Sequence, residues 1–197
     1  YEIGLRLDIV DQQTEAQLAA AGCAALADGK AEGVVLFDIG GGSSEIVWLN
    51  GPSAGRDVQN RIRHWASLPI GVVTLAERYG GQTVDSETFE AMVQEVESQL
   101  AAFRTGVEGV NRCASFHLLG TSGTVTTIAG VHLGLARYDR RKVDGLWMSD
   151  GDVDSLRPRT GLQRAPGREI EVRCSSTHID FRPGEWHGHD KDQGNGR

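Results

Sequence analysis

The chain predicts an α/β layered domain, and three observations carry that prediction. Val34-Val35-Leu36-Phe37 is a short, continuously apolar run that leads into Gly40-Gly41-Gly42-Ser43 and returns as Glu45-Ile46-Val47-Trp48-Leu49. Such a run is the pattern of a strand buried on both faces, and the glycines set a tight turn at the tip of a hairpin. Residues 86–104 align Phe89, Met92, Val93, Val96, Leu100 and Phe103 along one helical face, an amphipathic stripe. Ser115-Phe116-His117-Leu118-Leu119 is another apolar strand, entering Gly120-Thr121-Ser122-Gly123-Thr124 and then a helical stretch. Strands that come first and then alternate with helices build a layered sheet-and-helix domain.

The remaining elements follow in order. Residues 12–27 are rich in helix formers, with Leu18, Ala21, Ala25 and Leu26 at helical spacing, and Asp28-Gly29-Lys30 is a stop signal. Asn50-Gly51 is a hairpin signal leading to a strand over 61–68. Helices are predicted over 72–78, closed by Gly80-Gly81, over 86–104, and over 125–135. Asp152-Val153-Asp154-Ser155-Leu156 starts a further helix that Arg157-Pro158-Arg159 breaks.

Composition narrows the function classes. The 197 residues are 39% hydrophobic and 24% charged, ordinary for a soluble globular chain. No window approaches the roughly 18 unbroken apolar residues of a membrane span. A formal charge of -7 argues against a general nucleic-acid or membrane-surface binder, which needs a basic face. Cys23, Cys113 and Cys174 are widely spaced with no CxxC pair. That usage suits a reducing, cytoplasmic location without a disulfide framework or a zinc site. The chain opens on Tyr1 rather than Met, so it is expected to begin inside a longer reading frame.

The averages conceal a break near Ser155. Only 9 of the 42 residues from 156 to 197 are apolar, and they carry 8 basic against 6 acidic groups. The first 155 residues hold 12 basic and 21 acidic groups, a net -9. So little apolar surface hardly offsets the entropy of ordering, and the tail is expected to be mostly disordered or loosely attached. His178, His187, His189 and Asp190 fall in this tail and are read as solvated rather than as a metal cluster.

Two glycine loops each end an apolar strand, where ligands of open α/β sheets usually sit. In the first, Gly40, Gly41, Gly42 and Ser43 let successive N–H groups converge on an anion, as a nest cradles phosphate. Asp38 and Glu45 flank it. Carboxylates beside a phosphate repel it unless a hard cation such as Mg²⁺ sits between them. A glycine hairpin with solvated acids is the plainer alternative. In the second loop Gly120, Thr121, Ser122 and Gly123 lead into a helix N-terminus, an anion site through unpaired N–H groups; a simple N-cap is its plainer alternative. His117, in an apolar strand, reads as a core or edge histidine. Arg140, Arg141 and Lys142 form a mixed-charge turn that is solvated by default.

Phe37-Asp38-Ile39-Gly40-Gly41-Gly42-Ser43-Ser44-Glu45, Gly120-Thr121-Ser122-Gly123-Thr124 and Thr14-Glu15-Ala16-Gln17-Leu18 together resemble the Ppx/GppA family of exopolyphosphatases and guanosine pentaphosphate phosphohydrolases. Ser67-Leu68-Pro69-Ile70-Gly71-Val72-Val73 and the stretch from Tyr138 to Gly145 support the likeness, which runs from about Leu5 to Ser155. It implies an actin-like ATPase (ribonuclease H-like) lobe, a mixed sheet with flanking helices, present largely as the second lobe only. Residues 1–30 would end the first lobe and form an inter-lobe helix, 31–155 the second lobe, and 156–197 an irregular tail. The implied reaction is Mg²⁺-dependent hydrolysis of terminal phosphoanhydrides in polyphosphate or guanosine pentaphosphate. Its alternatives are a nucleotide-binding kinase or ATPase of the same superfamily, or a truncated remnant that binds without turnover. The resemblance makes Glu15 the general base, Asp38 and Glu45 the metal ligands, and the two loops the phosphate grips. It also leaves room for a homodimer in a full-length member.

The chain departs from the family in three places. Gln17 stands where the family has Arg, and no Asp-x-Gly-Ser-Asn-Ser loop of a first lobe is present. Beyond Ser155 the Arg, Gly, Pro and His content is expected to reflect a fragment or a shifted reading frame.

Overall fold

The computed structural model describes residues 8–81, 84–107, 115–156 and 171–174. β1 (Gly33–Ile39) is the strand about which the others are arranged. It pairs antiparallel with β2 (Ser44–Asn50), with Asp38 opposite Glu45, and β2 pairs antiparallel with β3 (Ile62–Leu68). On its other edge β1 runs parallel to β4 (Phe116–Thr121), with Asp38 level with Thr121. Two short strands, β5 (Trp147–Ser149) and β6 (Glu171–Cys174), complete a six-stranded mixed sheet of order β3-β2-β1-β4-β6-β5.

β6 is a short regular element within the tail that composition expects to be mostly disordered or loosely attached. The backbone of these four residues pairs parallel with β4 and antiparallel with β5. Composition averaged over 42 residues hides the local alternation Ile170-Glu171-Val172-Arg173-Cys174, and an open β4 edge would leave N–H and C=O groups unpaired. Apart from Leu156, which caps α6, the rest of the tail, including its three histidines, lies outside the described residues.

Helices cover both faces. α1 (Gln12–Cys23) lies on one face, where Ala16, Ala20 and Cys23 join Val34, Leu36, Val47, Leu49 and Leu119 in one core. The inward residues are thus the small ones, while Ala21 and Ala25 are exposed; small side chains let the helix sit close to the strands. α2 (Val72–Tyr79) and α3 (Ser86–Val107) follow β3, and α4 (Ser122–His132) follows β4 without a break. Phe103 and Val107 of α3 pack with Trp48, Val35 and Phe116. Val125 and Ala129 of α4 pack with Phe37 and with Val143 of the one-turn α5 (Arg140–Val143). α6 (Asp150–Ser155) starts at a capping box in which Ser149 and Asp152 exchange hydrogen bonds. β1 is therefore apolar on both sides because it is covered on both sides.

His117 is a core residue. It is 3% exposed, its Nε2 accepts the Asp28 N–H at 3.1 Å, and its ring edge meets Trp147. Among the described residues no helix is long and apolar enough to cross a membrane.

The turn after β2 supplies a first prediction. The Gly51 N–H donates to the Glu32 carbonyl at 2.7 Å, and a Cβ on Gly51 would overlap the Ala31 carbonyl. Gly51→Ala is expected to destabilise the fold by about 3 kcal/mol, as overpacking against backbone does. Urea unfolding measures it, and a loss under about 0.5 kcal/mol, the range of neutral surface changes, would contradict the packing described.

Candidate active site

Because β1 and β4 are parallel neighbours in register, the loops at their carboxyl ends lie side by side. The first loop is closed by the Gly40 N–H, which donates to the Ser43 carbonyl at 3.0 Å. It is held from behind by the start of α2. There the Val72 N–H donates to the Gly40 carbonyl at 3.0 Å, and those of Val73 and Thr74 donate to the Gly41 carbonyl at 2.9 and 3.2 Å. The C=O and N–H of one trans peptide point in opposite directions. Drawing these two carbonyls onto α2 therefore turns the Gly41 and Gly42 N–H groups away from it. Ser44 Oγ also donates to the Ile70 carbonyl at 2.6 Å, fastening the loop to the segment before α2.

The second loop enters α4 through Ser122, which takes a left-handed φ of 78°. Non-glycine residues adopt that region at a cost, and such strain collects at functional positions. Thr121, the N-cap, makes no side-chain capping bond, so the first amides of α4 keep their capacity to donate. Thr124 Oγ1 donates to the Ile39 carbonyl at 2.9 Å and ties the two loops together. Gly120 is buried, and a Cβ there would lie 2.6 Å from Phe37 Cζ; its part is steric.

Between the loops lies a hollow of about 560 Å³ walled by Gly40, Gly41, Ser122, Gly123 and Thr124, with Val72 and Ile128 at its rim. Gly41 and Ser122 thus share one crevice. On the α1 side a second hollow of about 390 Å³ brings Glu15, Asp38, Thr121 and Cys23 together. Gly42 and Ser43 wall neither hollow, and Thr121 belongs to the second.

The acids converge at this junction. Partial burial, then the charges of Glu45 and Asp38, hold the Glu15 carboxyl above its ordinary value. Burial likewise raises Asp38, opposed by a hydrogen bond from the Ser122 side chain and reinforced by Glu45. Glu45 is 6% exposed and accepts the Ser67 hydroxyl at 3.0 Å. No Lys or Arg is among the described residues that wall either hollow.

No group of three or more His, Cys, Asp or Glu among the described residues is arranged to hold a metal. Asp38 and Glu45, opposite each other on neighbouring strands, offer two carboxylates. Mg²⁺ in phosphate sites is commonly held in that way, by one or two carboxylates with water and phosphate oxygens completing the shell. These residues fit it.

Ser67 and Gly71 enter the sequence reading only within the stretch that supports the resemblance, and Thr124 only within the second loop; the brace formed by α2 has no place in it.

The profile of the Ppx/GppA phosphatase family matches residues 1–139. The Aquifex aeolicus member of the Ppx/GppA protein family is 25% identical, with a TM-score of 0.59 over 78% of this chain and 45% of that one. A solved exopolyphosphatase-like protein is 27% identical, with a TM-score of 0.62 over 78% of this chain and 47% of its own. An exopolyphosphatase from Cytophaga hutchinsonii, 21% identical with a TM-score of 0.62 over 79% of this chain and 47% of its own, shares the fold. The mixed sheet with flanking helices is thus the actin-like ATPase type of fold seen in these proteins. The chain spans under half the length of each of these structures. No curated protein matches it.

Proposed function

Because the chain belongs to the Ppx/GppA phosphatase family, we propose that it carries the phosphate-gripping part of a phosphoanhydride hydrolase. The reaction releases orthophosphate from inorganic polyphosphate or guanosine pentaphosphate. One observation carries this reading: two backbone loops open onto one crevice while Glu15, Asp38 and Glu45 meet beside it. Amides without side chains suit a phosphoryl group, and acids beside them suit water activation and a cation.

The roles follow from charge. The N–H groups of Gly41 and Gly42, with those opening α4, orient the terminal phosphoryl group and receive its developing charge. Asp38 and Glu45 would hold Mg²⁺, which when bound neutralises phosphate charge and lets an acidic site take an anionic substrate. Glu15 takes the proton of the attacking water. The water oxygen bonds to phosphorus, the bridging P–O bond breaks, and its electron pair leaves on the shortened chain.

The test is orthophosphate release from polyphosphate by the purified chain, with Mg²⁺ or with EDTA. Release that needs Mg²⁺ and no ATP is expected. Release from ATP alone would replace the reading with the kinase or ATPase alternative. Saturable polyphosphate binding without release would favour a second reading, binding without turnover.

A further inference from the structure

We infer that Ser67 is a positioning residue that makes Glu45 a one-oxygen ligand and thereby sets the site's preference for Mg²⁺ over Ca²⁺. The inference rests on the reading above that Asp38 and Glu45 hold the cation. The sheet brings four polar residues into one row. Ser67 of β3 is the register partner of Glu45, Glu45 that of Asp38, and Asp38 that of Thr121 on β4. Register partners on neighbouring strands carry their side chains on the same face.

Ser67 stands at the outer end of this row, because β3 is the edge of the sheet. Its Oγ donates to Glu45 Oε1 at 3.0 Å. β2 lies between β3 and β1, so the bond draws Oε1 toward β3 and away from Asp38. Glu45 is buried, and a hydrogen bond to an ionised acceptor is stronger than one between neutral groups. The carboxylate is thus held in one orientation. The donor itself sits on a fixed frame. Leu68, next along β3, is buried, and its register partner Ser44 donates through Oγ to the Ile70 carbonyl at 2.6 Å.

The chemistry of the two cations turns this orientation into a preference. Mg²⁺ demands near-octahedral geometry, whereas Ca²⁺ accepts larger, flexible shells that include carboxylates bound through both oxygens. A carboxylate with one oxygen committed to a serine presents the other alone, which suits the smaller ion. Without the hydroxyl, the Glu45 carboxylate can turn and offer both oxygens, and the site loosens toward Ca²⁺.

The test measures Mg²⁺ and Ca²⁺ affinities of the full chain by calorimetry, each metal alone and at constant ionic strength, for the wild type, Ser67→Ala and Ser67→Thr. The Mg²⁺ affinity of Ser67→Ala is expected to fall about tenfold or more, as loss of an outer hydrogen-bond partner commonly does. Its Ca²⁺ affinity should fall less or rise. Ser67→Thr keeps the hydroxyl on a residue that suits a strand and should restore the wild-type preference. A merely structural role would weaken both metals alike, so an equal loss overturns the inference, as does an unchanged Mg²⁺ affinity. Should Ser67→Ala not fold, Ser67→Cys, with its weak thiol donor, takes its place in the comparison. Glu45→Gln separates the two readings. If it loses Mg²⁺ while Ser67→Ala binds both metals normally, the inference alone falls. If Glu45→Gln binds Mg²⁺ as the wild type does, or the wild type binds none, the metal reading falls and the inference with it.

Discussion

Glu15→Gln is expected to lower phosphate release by about 10²- to 10⁴-fold, the usual contribution of a positioned general base, while leaving phosphate binding nearly intact. The reason lies in how α1 is seated. Ala16, Ala20 and Cys23 press the helix onto the sheet, which leaves the neighbouring Glu15 in the same hollow as Asp38 at the end of β1. Glutamine keeps the shape of the side chain and loses its capacity to take a proton. Burial and two neighbouring acids hold Glu15 above its ordinary 4.5. The acid limb of kcat/KM is therefore expected above that pH, and the variant should lack it. The sign for stability is opposite to that for activity. A carboxyl whose folded pKa is raised stabilises the fold below its unfolded value, and that contribution is lost as pH rises through the folded one. At neutral pH the variant should melt no lower than the wild type. Equal rates of phosphate release would remove Glu15 from the mechanism, and a lower melting temperature would show that its place is structural.

What could be read in advance, and what could not, divides along the range of the interactions. The hairpin of β1 and β2 was legible because an apolar run, three glycines and a returning apolar run are local signals. The passage from β4 into α4 was legible for the same reason. That the two loops share a crevice could be expected from their places at strand ends, and the parallel pairing of β1 with β4 brings it about. Three features escaped. The buried face of α1 consists of Ala16, Ala20 and Cys23, side chains too small to mark a face by hydropathy. The bond from Ser67 to Glu45 crosses from β3 to β2, and no spacing along the chain announces it. The left-handed Ser122 breaks the local preference of its residue type, so only its surroundings can set it.

Gly71→Ala is expected to be among the most damaging single-methyl changes in the described structure. Gly71 has an extended φ of -141°, which any residue adopts, so its requirement is for space and not for conformational freedom. A Cβ there would overlap the Gly41 carbonyl group and lie 2.5 Å from the Gly40 carbonyl oxygen. Both are backbone atoms of the first glycine loop and cannot rotate aside. Relief requires the loop and α2 to part, which breaks the bonds from Val72, Val73 and Thr74 that aim the loop. The cap formed by the Gly71 N–H and Thr74 Oγ1, 2.8 Å apart, would be strained with them. Overpacking and the loss of two or three hydrogen bonds together cost about 3 kcal/mol or more. Urea unfolding should show that loss, and affinity for tripolyphosphate should fall with it. The second readout separates the brace from general packing: a Cβ on Gly42, in the same loop, would meet nothing within 4 Å, so Gly42→Ala should leave stability nearly unchanged. If Gly71→Ala lost stability but bound tripolyphosphate as the wild type does, α2 would be scaffolding alone. If Gly42→Ala unfolded the protein as readily, the loop would owe its shape to the glycines themselves and not to the helix behind them.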